Sequence, residues 1–337
     1  MRKIVILLIF IISQYSLLGQ EKGPEYYGFR HFRLFYKGEI VEVLIKSKKG
    51  EEQIKKPLFL FCQGSLPIPL IITYNDKGRE SIYSVFPFNP DILCSKYHLV
   101  IISKPFVPLI ASRDSLADDL TYRDIKGQFP VEYSNRNLLD YYVKRNEFVI
   151  NFLRKQSWVS HSKLVIAGHS EGSTIAAKLC SVTPSATALI YSGGNPFGRI
   201  MTIIARSRQK EREVDSTSIA EKDIEYWNYI VANANGMKTD TGDTPRTTYE
   251  FSIPPIHYLE KVKIPVLITY GTRDAGAIFN DYLRVEVIRK KKRNFTFKEY
   301  LGTEHNYFLL ERDGSINYKI FNWDKVADDW LSWLNNN

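Results

Sequence analysis

The residues best suited to covalent chemistry lie in the segment 168–172, which reads GHSEG. A serine hydroxyl is a weak nucleophile until the chain positions it and a base removes its proton. The apolar run 164–167 predicts a buried strand before this segment, and the small residues of 174–179 predict a helix after it. A sharp turn from strand to helix exposes the serine, and the flanking glycines make room for it. A GxSxG pattern alone is weak evidence, but in this context it predicts that Ser170 is a nucleophile.

This segment resembles the nucleophile turn of the α/β-hydrolase superfamily, in which a serine, an acid and a histidine follow one another along the chain. The apolar run 264–270 continues into Gly-Thr-Arg-Asp, which resembles the acid turn of that superfamily and ends at Asp274. The next apolar run, 295–300, is followed by His305, where the superfamily places its base. The resemblance therefore implies a catalytic triad of Ser170, Asp274 and His305.

Two features compete with this assignment. Asp274 could instead cap the helix predicted after it, and Glu304 is a second carboxylate close to the base. Because Glu304 adjoins His305 in sequence, it is poorly placed to contact the imidazole ring, and Asp274 is preferred. We expect His169, at the variable position of the turn, to face away from the base. The other histidines are expected to be structural or to lie on the wrong side of their strands: His31, His98, His161 and His257.

The resemblance also implies an oxyanion hole made of backbone N–H donors. One donor would be Glu171, directly after the nucleophile. The other would lie in the loop after the apolar run 57–62, where Ser65 is the candidate and Gln63 a weaker alternative. The superfamily often has histidine at the position of Gln63. Because the donor is a backbone N–H group, this difference affects the support of the loop more than the oxyanion hole itself. A plain turn at Gly64 is the competing interpretation.

Short apolar runs bounded by turn residues predict the strands that carry these loops. Two alternating runs within 29–48 predict an N-terminal antiparallel hairpin. Buried strands are predicted at 57–62, 98–103, 163–167, 187–191, 264–270 and 295–300, with helices at 138–152, 174–180, 280–288 and 323–334. Strands that alternate with helices predict an α/β protein with a mostly parallel central sheet and helices on both faces. This agrees with the α/β-hydrolase fold, which the resemblance implies for about residues 30–337.

Residues 196–255 interrupt this alternation, because about sixty residues separate two strands that a crossover of about a dozen could connect. The stretch 218–221 fits a capping box that opens a helix through Trp227 and Ile230. Residues 233–248 are polar and predict a loop. We interpret 196–255 as a helical cap insertion at the carboxyl edge of the sheet; a disordered surface loop is the alternative.

The first nineteen residues have the layout of a secretory signal peptide, with a cationic start, an apolar run at 4–12 and the small residue Gly19 at the end. A run of about nine apolar residues is too short to cross a hydrocarbon core of about 30 Å. We therefore expect cleavage after Gly19, a hydrolase domain over 20–337, and a secreted or periplasmic protein without stable membrane insertion. An uncleaved N-terminal anchor is the alternative.

The composition excludes several classes of protein. With 337 residues, 44% of them hydrophobic, the chain is not intrinsically disordered. Loss of residues 1–19 would remove two basic side chains, leaving 44 basic against 37 acidic residues and lowering the net charge from +9 to +7. The densest basic run, 289–293, ends a predicted helix, where cations are favourable, so no nucleic-acid partner is expected. The three cysteines lack metal-binding spacing and are expected to be buried free thiols. Neither a metal nor an organic cofactor is implied.

These features predict a serine hydrolase with a small-molecule acyl substrate. A carboxylic ester is favoured because no separate peptidase propeller or other large accessory domain precedes the hydrolase domain. A peptidase, an acyltransferase or a thioesterase of the same fold is the alternative within this chemistry. A non-catalytic ligand-binding protein on the same scaffold is less favoured, because such proteins usually lose a triad member and all three positions are filled here.

Overall fold

An eight-stranded sheet forms the centre of the protein, whose computed structural model describes residues 22–76, 78–84, 86–211, 218–238 and 242–337. The predicted signal peptide, residues 1–19, lies outside these residues. In spatial order the strands are β1 (Arg30–Tyr36), β2 (Glu39–Lys46), β6 (His98–Ile102), β3 (Lys56–Cys62), β8 (Val159–His169), β9 (Ala188–Ser192), β10 (Val266–Gly271) and β11 (Phe295–Tyr300).

The strand directions confirm the predicted hairpin and the mostly parallel sheet. β1 pairs antiparallel with β2, and β2 pairs antiparallel with β6. All pairs from β6 to β11 are parallel. Because parallel strands end at the same edge, the loops after β3, β8, β9, β10 and β11 meet there.

Two smaller sheets were not predicted from the sequence. The strands β4 (Ile71–Asp76), β5 (Arg79–Ser84) and β7 (Ile110–Ser112) form one, and β12 (Leu309–Leu310) and β13 (Ile316–Asn317) form the other. Most of β5 is exposed, so it lacks the apolar run that marks the strands of the central sheet.

Helices cover both faces of the central sheet, as predicted. The α-helices of the described residues are α1 (Asp91–Cys94), α2 (Val131–Arg136), α3 (Leu139–Leu153), α4 (Glu171–Val182), α5 (Arg199–Lys210), α6 (Ile219–Ala232), α7 (Pro245–Ser252), α8 (Ile256–Leu259), α9 (Ala277–Arg289) and α10 (Trp323–Asn335). Alternate residues of β3 point to opposite faces. Leu58 and Leu60 belong to a core with α3, α4 and α9, whereas Phe59 and Phe61 belong to a core with α1 and α10.

The stretch 196–255 contains α5, α6 and α7, together with residues 212–217 and 239–241, which lie outside the described part of the chain. The Ser218 hydroxyl accepts a hydrogen bond from the backbone N–H of Glu221 (3.2 Å), so the predicted cap of α6 is present. The predicted loop 233–248 extends too far, because α7 begins at Pro245. Thr244 caps that helix, and Pro at the first helical position is compatible with helix geometry.

Several smaller expectations concern side chains that the structure describes. The three cysteines are buried and free, as predicted. In the basic run 289–293, Arg289 pairs with Glu286 and Lys290 pairs with Glu260. Within the described residues there is no helix long and apolar enough to cross a membrane, and no cluster of side chains suited to holding a metal ion.

Candidate active site

Ser170 lies in a strained turn between β8 and α4. Its backbone has φ +57° and ψ −125°, a conformation that is rare for residues other than glycine. Such backbone strain costs about 1–3 kcal/mol and is concentrated at functional sites. A side chain at Gly168 would clash with the carbonyl of Gly172, and one at Gly172 would clash with the carbonyl of Cys62. The two glycines of the motif are therefore required by the close packing of this turn.

Asp274 and His305 meet at the same edge of the sheet, after β10 and β11. His305 Nδ1 lies 2.8 Å from Asp274 Oδ2, and the other carboxylate oxygen accepts the N–H of Gly276 (3.1 Å). Asp274 is buried. Although burial acts to raise the pKa of Asp274, its hydrogen bond and charge interaction with His305 hold that pKa below its usual value. An ionised Asp274 directs the Nδ1 proton of His305 toward itself and leaves Nε2 available as a base.

Glu304, the competing carboxylate, has a different set of partners. Its Oε1 accepts hydrogen bonds from the backbone N–H groups of Asn306 (2.7 Å) and Phe308 (3.1 Å). Glu304 therefore shapes the loop that carries His305, while Asp274 contacts the imidazole ring.

The expectation that His169 faces away from the base is wrong. Its ring centroid lies 5.0 Å from that of His305, and its Nε2 lies 3.3 Å from Asn306 Oδ1. The space for this ring comes from Gly193, where an added Cβ would lie 2.5 Å from the His169 ring. Burial, reinforced by the nearby His305, lowers the pKa of His169 to about 3. His169 is therefore a neutral side chain that contacts the base-bearing loop.

Tyr307 anchors the same loop in the core and was not singled out in the sequence. Its hydroxyl lies 2.6 Å from Ser192 Oγ and 2.9 Å from Thr269 Oγ1, at the ends of β9 and β10. Its ring centroid lies 4.9 Å from those of both Tyr300 and Trp323. The sequence offers one signal for this role. Tyr307 lies two residues after His305, where a large side chain can hold the loop in place.

The proposed oxyanion donors both lie beside Ser170. Glu171 is the first residue of α4, and the first N–H groups of a helix have no partner within it. Ser65 lines the same cavities as Ser170, and its carbonyl accepts a hydrogen bond from Tyr133 (2.8 Å). The side chain of Gln63 donates to the carbonyl of Ile102 (2.8 Å) and so supports the loop. Glu171 and Ser65 therefore both border the cavity at Ser170, and an oxyanion hole formed by their backbone N–H groups stays a prediction.

Comparison with solved structures identifies the architecture. Est1E from Butyrivibrio proteoclasticus matches with a TM-score of 0.52 and 14% identity, over 91% of this chain and 98% of that one. An acylaminoacyl peptidase from Pyrococcus horikoshii matches with a TM-score of 0.54 and 14% identity, over 91% of this chain but 40% of the peptidase. The chain has the α/β-hydrolase fold. A 2,6-dihydroxy-pseudo-oxynicotine hydrolase also shares it, with a TM-score of 0.52 and 16% identity over 90% of this chain and 67% of that one. No protein-family model and no curated protein sequence matches.

A buried ionic network lies next to the turn that carries Ser170 in this α/β-hydrolase fold. The Glu171 carboxylate pairs with Lys104 (3.0 Å) and with Arg199, and Arg199 also pairs with Asp243. Burial lowers the pKa of Lys104, although Glu171 opposes this effect. The network joins α4 to α5 and to the loop before α7. Sequence reasoning missed it because Lys104 and Glu171 are far apart in the chain.

Two cavities open next to Ser170 and His305. The smaller has a volume of about 230 Å³ and lies against α5, and the larger has a volume of about 780 Å³ and lies against the loop 63–68 and β5. Ser170, His305 and Ser65 line both. The site can therefore present a nucleophile, a base and backbone donors to a group that extends in two directions.

Proposed function

We propose that this chain is a serine hydrolase that cleaves a carboxylic ester through an acyl-enzyme intermediate. The observation that carries the proposal is the 2.8 Å contact between His305 Nδ1 and Asp274 Oδ2, at the sheet edge that also presents Ser170. In this general arrangement the serine is the nucleophile, the imidazole is the base, and the buried carboxylate orients the imidazole.

In the first half of the reaction His305 Nε2 removes the hydroxyl proton of Ser170 while Oγ attacks the acyl carbonyl carbon. The carbonyl electron pair moves onto oxygen, and the backbone N–H groups of Glu171 and Ser65 donate hydrogen bonds to this oxyanion. When the carbonyl re-forms, the bond to the alcohol breaks and the alcohol takes the proton from His305. Asp274 stabilises the imidazolium while it exists.

In the second half a water molecule attacks the acyl group on Ser170. His305 accepts the proton of this water and returns it to Ser170 Oγ as the ester bond to the enzyme breaks. The products are the free carboxylic acid and the regenerated serine. Each half uses the same donors and the same base, so one site serves both steps.

The pairing of the carboxylates near Ser170 favours an ester over a peptide recognised at its free amino terminus. Binding an ammonium group requires a carboxylate that is not already neutralised. Glu171 is paired with Lys104 and Arg199, and Asp243 is paired with Arg199. The third carboxylate that lines the smaller cavity, Asp274, is occupied by His305.

The test is a panel of p-nitrophenyl esters of rising acyl length, assayed beside peptide p-nitroanilides. We expect ester hydrolysis by the unaltered protein and a loss of about 10⁴-fold or more in kcat for Ser170→Ala. Ser181→Ala, at the other end of α4, is the matched control and should retain activity. Faster turnover of the anilides would assign a peptidase instead, and full ester hydrolysis by Ser170→Ala would overturn the mechanism.

A further inference from the structure

The two cavities differ in character, although both reach the reacting serine. Ser65, Ser170, Arg206 and His305 line both of them. A substrate whose carbonyl carbon lies at Ser170 Oγ therefore extends one of its two sides into each cavity.

The larger cavity is apolar. Its walls include Phe86, Phe88, Phe308 and Trp323. Four further apolar side chains that line it are exposed to solvent: Leu66, Ile82, Tyr83 and Phe321. Exposed apolar side chains that gather around one opening mark a binding surface for an apolar group.

The smaller cavity is lined by one face of α5. Arg199, Thr202, Ile203 and Arg206 are spaced three or four residues apart, which places them on the same side of the helix. Arg199 is engaged by Glu171 and Asp243. Arg206, one turn beyond Thr202, is exposed at the point where both cavities meet.

Among the residues that the structure describes, the charged side chains around the smaller cavity are paired except for Arg206. The carboxylates of Glu171, Asp243 and Asp274 all have cationic or imidazole partners. Within the part of the chain that the structure describes, Arg206 forms neither an ion pair nor a side-chain hydrogen bond. A guanidinium presents several N–H donors in a plane and suits two-point binding of a carboxylate.

We propose that Arg206 binds an anionic group of the substrate, so that the preferred ester carries a carboxylate on one side of its carbonyl and an apolar, aromatic-sized group on the other. This inference rests on the proposed ester hydrolysis. The carboxylate occupies the smaller cavity against α5, and the apolar group occupies the larger one. Arg206 is a specificity residue for the substrate and takes no part in proton transfer.

A second role for Arg206 has to be separated from this one. Burial raises the pKa of Asp274, and the charge of Arg206 adds to the larger effects of His305 and of the Gly276 N–H that lower it. If Arg206 acted through Asp274 and His305, its removal would change the hydrolysis of every substrate and would shift the pH profile. If Arg206 binds the substrate instead, the loss of activity on its removal depends on whether the substrate carries a charge.

A matched pair of esters distinguishes these roles. Mono-p-nitrophenyl adipate carries a free carboxylate, whereas its methyl ester has the same chain without the charge. The p-nitrophenyl ring of both suits the apolar cavity. We expect the unaltered protein to have the higher kcat/KM for the charged ester, after subtraction of uncatalysed hydrolysis. Arg206→Gln should reduce that preference by about tenfold. This fold-change corresponds to the free energy of one charge-assisted hydrogen bond at an exposed site.

Two further variants complete the experiment. Arg206→Lys should retain part of the preference because it keeps the charge, and Arg208→Gln should keep all of it because Arg208 pairs with Glu211 on the same helix. Equal losses with both esters, or a shifted pH profile for the uncharged ester, would overturn the proposal in favour of a role through Asp274. No preference for the charged ester would also overturn it. Failure of the unaltered protein to hydrolyse either ester would count against the proposed function itself.

Discussion

The candidate catalytic edge of the sheet and the stretch 196–255 meet at the smaller cavity, but they are held in place by different contacts. Ser170, Asp274 and His305 lie within five residues of the ends of strands. The register of these strands is fixed by backbone pairing, such as Gly168 with Tyr191 and Gly271 with Tyr300. The stretch 196–255 is joined to this edge by side chains, above all by the ion pair of Arg199 with Glu171. The comparison indicates that backbone pairing sets where the loops of the candidate site begin. Side-chain contacts then hold the loop of His305, through Glu304 and Tyr307, and join α5 to the same edge through Arg199.

The largest expected effect comes from the catalytic edge, where two carboxylates can be compared. Asp274→Asn should lower kcat for ester hydrolysis by about 10⁴-fold, because an amide stabilises neither the required tautomer nor the imidazolium. Glu304→Gln is the control, since its partners are backbone N–H groups of the loop. Steady-state kinetics with one p-nitrophenyl ester measures both. A larger loss in Glu304→Gln would show that the wrong carboxylate has been chosen.

A smaller effect, on stability, is expected where the two regions join. Glu171→Gln keeps the backbone donor but removes the charge between Lys104 and Arg199. Breaking a buried ion pair leaves an uncompensated charge, so the free energy of unfolding should fall by about 3 kcal/mol. Glu286→Gln, which removes the pair with Arg289 on the surface, should cost less than about 1 kcal/mol. Urea denaturation compares the two, and equal losses would contradict the role of the buried network.

A further expected effect concerns the pH dependence of stability at His169. Its pKa is about 3 in the folded protein, against 6.5 ordinarily. Between these values the unfolded chain binds more protons, so the stability that His169 provides is complete above about pH 6.5 and is lost as the pH falls toward 3. His169→Gln should therefore make the free energy of unfolding fall less steeply between pH 7 and pH 4.

The control for this experiment is His161→Gln, which replaces an exposed histidine at the opposite end of β8. It should keep the slope of the unaltered protein. Identical slopes for His169→Gln and the unaltered protein, measured by urea denaturation at each pH, would contradict the burial of a neutral His169.

The same comparison explains how much could be predicted from the sequence. Ser170, Asp274 and His305 lie within a few residues of strand ends, and apolar runs locate strands well, so local patterns were enough to bring them to one edge. The partners of Glu171 depend on contacts between distant parts of the chain, which no local pattern encodes. The position of His169 depended on the space left by Gly193, directly after the neighbouring strand β9. The exposed strand β5 lacked an apolar run and was missed for that reason.

The most direct test of the central claim is to locate the adduct of a fluorophosphonate probe by mass spectrometry. Fluorophosphonates react with a serine that a neighbouring base activates, so the folded protein should gain one adduct, on the peptide that contains Ser170. Ser170→Ala should remain unlabelled while keeping the circular dichroism spectrum of the unaltered protein. Equal labelling of Ser170→Ala, or an adduct on another serine such as Ser65, would contradict the assignment of Ser170 as the nucleophile.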